Sequence, residues 1–149
     1  ANRRCRTPST PCVTTSATEM AYYLDTSAAV KLVLAERDSP AMTAWARERA
    51  GDVVSSDLLR TELLRATRRG APEHAARARA VLDSVTLLRV GPETFEHAGE
   101  LDPFALRSLD AIHLAAALEL GDDLDGIVTY DDRLASAAAL LGVTVIAPS

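Results

Sequence analysis

Four acidic residues stand where an alternating pattern of strands and helices would gather them: Asp25, Glu62, Asp110 and Asp131. Asp25 closes the apolar run Tyr22-Tyr23-Leu24, and Asp131 follows Ile127-Val128-Thr129-Tyr130. Glu62 lies in the helix-like stretch Asp57 to Arg69, and Asp110 in Arg107-Ser108-Leu109-Asp110-Ala111-Ile112-His113-Leu114-Ala115. Ligands of open α/β sheets bind beyond the carboxyl ends of the strands, so acids at those ends face one crevice. Carboxylates crowded there repel one another unless a hard divalent cation neutralises them. The pattern therefore reads as a magnesium or manganese site for phosphoryl chemistry.

Each acid also has a plainer reading. Asp25-Thr26-Ser27 after a strand is an ordinary helix-capping sequence. Leu106, Leu109, Ile112, Ala116 and Leu120 recur at helical spacing and predict a buried stripe, with Asp110 in mid-helix at its edge. Arg107 and His113 lie three residues either side of Asp110 and share its face, so an Arg107–Asp110 ion pair is the structural alternative to a site. An Asp inside a helix that disfavours it argues for the site. His113 is expected to pack or to support rather than to ligate. Glu62 in isolation reads as a surface residue. Of Asp131 and Asp132 only one can enter the crevice; Asp131 is expected inward, leaving Asp132 to cap the next helix.

The elements that must position these residues follow from periodicity and punctuation. Strands are expected at Tyr22 to Leu24, Val53 to Ser55, Val85 to Val90, Ile127 to Thr129 and Val143 to Ile146. Between them come helices: Ala28 to Leu34 capped by Thr26-Ser27, and one opened by Ser39-Pro40 and stopped at Gly51. Another runs from an Asp57 cap to Gly70, then Pro72 to Leu82 and Pro92 to Leu101. A long helix approached from Pro103 ends at Gly121, and the last spans Arg133 to Leu141 before Gly142. Alternation of this kind predicts an α/β fold with a central parallel sheet, right-handed crossovers and helices on both faces.

Composition narrows the classes further. A chain of 149 residues fits one domain, and a domain of that size buries roughly 70% of its unfolded surface without needing disulfides. Hydrophobic residues make up 48% but aromatics only 4%, so Ala, Leu and Val must form the core. No apolar run approaches the ~20 residues of a membrane span. Cys5 and Cys12 both fall in the polar leading stretch, so a metal site in the body must use oxygen or imidazole. Residues 1–19 lack the apolar segment of a secretory signal and are expected to be a disordered extension, with 20–149 the domain, in the cytoplasm. Net charge is −5, unevenly spread. Arg60, Arg65, Arg68, Arg69, Arg77 and Arg79 form a basic flank, whereas from Gly91 onward eleven acidic residues meet only Arg107 and Arg133. These are either solvated helix faces or a basic surface that holds a polyanion beside an acidic crevice.

Phosphotransfer receivers and aspartate-nucleophile phosphatases share an early Asp on an α/β sheet. Both need a lysine at a late strand end, and the one lysine here, Lys31, lies in the first helix. The phosphatase also wants a second Asp where Ser27 stands. No Gly-x-Gly-x-x-Gly or Gly-x-x-x-x-Gly-Lys occurs, which disfavours a nucleotide-binding module.

The blocks Tyr23-Leu24-Asp25-Thr26-Ser27-Ala28, Ser56 with Glu62, Arg107 to Ala115, and Thr129-Tyr130-Asp131 together resemble the PIN-domain ribonucleases, among them the VapC-type toxins of bacterial toxin–antitoxin pairs. The resemblance runs from about Ala21 to Pro148. It implies a PIN-like three-layer α/β/α fold and a Mg2+- or Mn2+-dependent endoribonuclease that hydrolyses RNA phosphodiesters. Asp25 and Asp110 would be the principal metal ligands and Glu62 and Asp131 would complete the pocket, with Thr26, Ser27 or Thr129 positioning water or a phosphate oxygen. It further implies a cognate VapB-type antitoxin and a homodimer. Val30, Val33, Leu34, Met42 and Trp45 are a candidate apolar groove for that partner's helix, or else plain core. A non-catalytic RNA- or protein-binding module on the same fold is the alternative.

Overall fold

The computed structural model describes residues 20–149; the expectation for residues 1–19, with both cysteines, lies outside them. In chain order the elements are β1 (Ala21–Leu24), α1 (Thr26–Val33), α2 (Ser39–Glu48), β2 (Val53–Ser56), α3 (Leu58–Gly70), α4 (Ala75–Ser84), β3 (Thr86–Leu88), α5 (Pro92–Glu100), α6 (Ser108–Leu118), β4 (Leu124–Val128), α7 (Asp132–Leu140) and β5 (Val145–Ile146). Pro72–His74 and Gly121–Asp123 are single 3₁₀ turns.

All strand pairs are parallel, and the sheet order is β3-β2-β1-β4-β5. The chain thus builds outward from β1 to β3, then returns to the other side of β1 with β4. That reversal creates a gap beyond the carboxyl ends of β1 and β4, where neighbouring crossovers leave in opposite directions. This is the place where open parallel sheets bind ligands.

Side chains alternate across the sheet, and two cores result. Leu24, Val53 and Val128 point to one face, where they meet Ala28, Ala29 and Val33 of α1, Met42 of α2, Leu59 and Leu63 of α3 and Leu82 of α4. Tyr23 and Ile127 point to the other, against Leu114 and Ala117 of α6 and Leu134 and Ala137 of α7. A smaller cluster, Ala98, Ala111 and Ala115, joins α5 to α6. The small alanine side chains let these helices sit close, which is how a chain poor in aromatics fills its interior. At Gly126, a Cβ would come within 2.9 Å of both Ile146 Cδ1 and the Thr144 carbonyl oxygen. The missing side chain lets β5 pair with β4.

Four expectations are corrected. First, α6 begins at Ser108, so Asp110 sits in its first turn rather than in mid-helix. An acid there is favoured by the unpaired amides and dipole of the helix start. Secondly, the buried face of α6 is Ala111, His113, Leu114, Ala115, Ala116 and Ala117, and Leu109 is 48% exposed. The helix is covered by the sheet on one side and α5 on another, so its buried surface is wider than a single stripe. Thirdly, Asp57 does not cap α3; its Oδ1 accepts from Val90 N–H at 3.3 Å instead. Finally, Val33 and Met42 are fully buried, so they are core and not a groove. Trp45 is partly buried, edge-on against Tyr22 at 5.2 Å with Arg49 over its ring.

Candidate active site

Asp25 leaves β1 and becomes the N-cap of α1, accepting from Ser27 N–H at 3.2 Å. The cap lies at the strand-order reversal, so the capping reading of Asp25-Thr26-Ser27 does not exclude the site reading. The same oxygen, Oδ2, also accepts from Ser27 Oγ at 2.6 Å and from Thr129 Oγ1 at 3.0 Å. Thr129 follows β4, so the carboxylate is pinned from both sides of the strand-order reversal. Ser27 Oγ in turn accepts from Tyr130 N–H at 2.9 Å, and Thr129 Oγ1 from Asp131 N–H at 3.1 Å. Three donors on Oδ2 orient the carboxylate. Each charge-assisted bond of this kind contributes about 1.5–3 kcal/mol. The hydroxyls of Ser27 and Thr129 are thus committed to holding Asp25.

Asp131 caps α7, its Oδ1 accepting from the amides of Arg133 at 2.9 Å and Leu134 at 3.0 Å. This corrects the expectation for Asp132, which is an exposed first-turn residue of that helix. Both capping bonds go to Oδ1, so capping does not engage the second carboxylate oxygen.

Asp110 completes the group. Its Oδ2 is buried and has no hydrogen-bond partner among the described residues. Burial, and then the charges of Asp131 and Asp25, push its carboxyl pKa above the ordinary value, only partly offset by His113 and Arg107. That Asp131 and Asp25 act on it shows the three carboxylates to be electrostatic neighbours. Arg107 is exposed and makes no ion pair with Asp110. An unpaired buried carboxylate oxygen is costly, about 1–3 kcal/mol or more, and costlier still with like charges beside it.

Glu62, in the second turn of α3, is oriented by other means. Its Oε2 accepts from Thr26 Oγ1 at 2.6 Å and contacts His113 Nε2 at 2.5 Å. Burial alone would raise its pKa, but the hydrogen bonds from His113 and Thr26 outweigh that and lower it. His113 is almost fully buried. Its desolvation disfavours charge, yet the bond to Glu62 and the carboxylates of Asp25, Glu62 and Asp110 hold its pKa above the ordinary value. The other ring nitrogen, Nδ1, lies 2.8 Å from Tyr23 Oη, which accepts from Ser56 N–H at 3.1 Å. Burial pushes the Tyr23 phenol well above its usual range, so it keeps its proton. Sequence reasoning missed Tyr23 and Ser56 as members of this network. A tyrosine on the central strand reads as core, and nothing local joins it to a histidine 90 positions away.

The donor set suits a hard cation: buried or half-buried carboxylate oxygens, with no thiolate among the described residues. Asp110 Oδ2 is the oxygen whose position a positive charge would satisfy. No three of the described His, Cys, Asp and Glu side chains cluster closely enough to hold an ion alone. Magnesium commonly keeps several waters and takes one or two carboxylates, which fits this open arrangement.

The basic flank lies on α3 and α4. Arg60, Arg65, Arg68, Arg69, Arg77 and Arg79 are all exposed, so the helix that brings Glu62 to Thr26 and His113 turns arginines toward solvent.

A parallel sheet with acids at its reversal point defines a class, and sequence comparison agrees. Residues 22–140 match the PIN domain model, and the chain belongs to that family. It is 47% identical over 129 residues to Ribonuclease VapC46 of Mycobacterium tuberculosis strain ATCC 25618 / H37Rv, covering 87% of this chain and 98% of that one. Ribonuclease VapC47 of M. tuberculosis strain CDC 1551 / Oshkosh is 38% identical over 130 residues, covering 85% and 96%. The crystal structure of M. tuberculosis VapC20, described as a Sarcin-Ricin loop cleaving toxin, superposes with a TM-score of 0.69 at 18% identity. It covers 86% of this chain and 100% of that one, a likeness of fold.

Proposed function

We propose that this chain is a VapC-type endoribonuclease, the toxin of a type II toxin–antitoxin pair, hydrolysing RNA phosphodiesters with Mg2+ or Mn2+. The observation that carries the reading is Asp110 Oδ2: buried, unpartnered and beside Asp25 and Asp131 where the strand order reverses. The family and the ribonuclease names of the relatives support the activity. Asp25 and Asp110 would hold the cation, with Asp131 and Glu62 completing the acidic pocket. When bound, the cation lowers the pKa of a coordinated water and polarises the phosphate. The chain's own part is to fix Asp25 through Ser27 and Thr129, to fix Glu62 through Thr26 and His113, and to draw the RNA backbone to the exposed arginines of α3 and α4.

The partners proposed are RNA, a VapB-type antitoxin and a second copy of the chain. Exposed Phe95 and Phe104, the latter 95% exposed, flank one cleft beside α5 and suit self-association. No described helix is long and apolar enough to cross a membrane, and we place the protein in the cytoplasm with its RNA. The functional unit is residues 20–149, so a chain beginning at Met20 should cleave as the full chain does. Cleavage of an RNA oligomer by purified protein, with Mg2+ or Mn2+ and with chelator, tests the reading. Metal-dependent cleavage lost in Asp25→Asn and Asp110→Asn is expected; cleavage unaffected by chelator would overturn it.

A further inference from the structure

Behind Glu62 lies a continuous chain of polar groups. Ser56 N–H at the end of β2 donates to Tyr23 Oη on β1; Tyr23 Oη meets His113 Nδ1 on α6; His113 Nε2 meets Glu62 Oε2 on α3. Ser56, Tyr23 and His113 are buried, with Tyr23 packed among Leu114, Ala117, Ile127 and Leu134. Burying a phenol and an imidazole costs free energy unless every polar atom finds a partner. Here each finds one, and the series ends on a half-buried carboxylate at the crevice. If the only need were packing, phenylalanine and leucine would fill the space at lower cost.

The links also have a direction. Tyr23 Oη accepts a hydrogen bond from Ser56 N–H, and at the far end the Glu62 carboxylate can only accept, so His113 Nε2 carries a hydrogen toward it. Thr26 Oγ1 donates to the same Glu62 oxygen from the start of α1. Two partners on Oε2 hold the Glu62 carboxylate, as three donors on Oδ2 hold that of Asp25.

We propose that Tyr23 and His113 are positioning residues: a relay from the centre of the sheet that fixes the rotamer of Glu62 and so sets the cation affinity of the pocket. This rests on the metal-dependent reading above. Loss of a partner that orients a ligand typically costs 10–100-fold in metal affinity or activity.

The test is Mn2+ affinity of the purified full chain by calorimetry, with melting temperature in chelator as a check of folding. Tyr23→Phe removes one oxygen and should weaken Mn2+ binding by about tenfold or more. In a Glu62→Gln background the same substitution should change affinity less than about twofold, because contacting groups are not additive. His113→Gln keeps an amide N–H for Glu62 and should bind Mn2+ better than His113→Leu, which keeps none. Equal loss from Tyr23→Phe in both backgrounds overturns the relay, as does unchanged affinity in folded Tyr23→Phe. If Tyr23→Phe and His113→Leu both fail to fold, the network is a structural strut and the proposal falls. Asp110→Asn separates the two levels. Should it bind Mn2+ as the unaltered protein does, the metal site itself is wrong; should it lose binding while Tyr23→Phe does not, only the relay is.

Discussion

Ser27→Ala removes a single hydroxyl on which both sides of the crevice depend. Ser27 Oγ donates to Asp25 Oδ2 at 2.6 Å and accepts from Tyr130 N–H at 2.9 Å. Losing a hydrogen bond to a charged acceptor costs about 1.5–3 kcal/mol, and stranding the Tyr130 amide costs about 1–3 kcal/mol. Ser27 is only half-buried, so water recovers part of both, and the lower ends apply: about 2–3 kcal/mol together. For a chain of 149 residues each kcal/mol moves Tm by roughly 2–4 °C, giving a fall of about 5–10 °C. Thermal and urea unfolding in chelator measure this without any contribution from bound metal. Ser27→Thr keeps the hydroxyl and should lose less than about 1 kcal/mol. Cleavage should also fall in Ser27→Ala, since Asp25 loses its shortest bond. A Ser27→Ala protein within about 0.5 kcal/mol of the original, or a Ser27→Thr protein as weak as Ser27→Ala, would refute this account of how Asp25 is held.

Other expectations follow from the same geometry. A cation that binds only the folded pocket should stabilise it by about 2.7 kcal/mol at a hundredfold excess over its Kd; the Asp25→Asn/Asp110→Asn double variant should show almost none of that shift, and equal shifts would point to general salt effects. In chelator, Asp110→Asn should melt above the original protein, because it removes a charge that Asp131 and Asp25 repel; a lower melting temperature would mean that repulsion does not dominate there. Met42→Ala should cost about 2–5 kcal/mol, since Met42 is fully buried, and a near-neutral result by urea unfolding would reopen the groove reading. Gly126→Ala should cost about 1–3 kcal/mol by overpacking as its methyl meets Ile146 and the Thr144 carbonyl; unchanged stability would show that β5 can give way.

Much of this protein was legible in its order of residues alone. Short apolar runs bounded by Gly, Pro and capping side chains mark the strands, the longer helical-period stretches between them mark one or two helices each, and a parallel α/β sheet follows. The acids Asp25 and Asp131 were legible because each directly follows an apolar run, where local geometry forces the chain outward. Asp110 was read in the wrong setting: helix periodicity cannot say that residues from Pro103 to Arg107 stay out of the helix, nor that α6 is covered on two sides. Met42 and Val33 were ambiguous for the same reason, because an apolar residue on a helix shows that it is hidden and not by what. Only the tertiary structure decided that Ser27 and Thr129 share the Asp25 carboxylate, that Asp131 caps α7 within electrostatic reach of Asp110, and that Tyr23, His113 and Glu62 touch across three elements. Those contacts join positions far apart in the chain. Their free energies arise from burial and from the geometry of individual oxygens and nitrogens, which no local pattern of residues encodes.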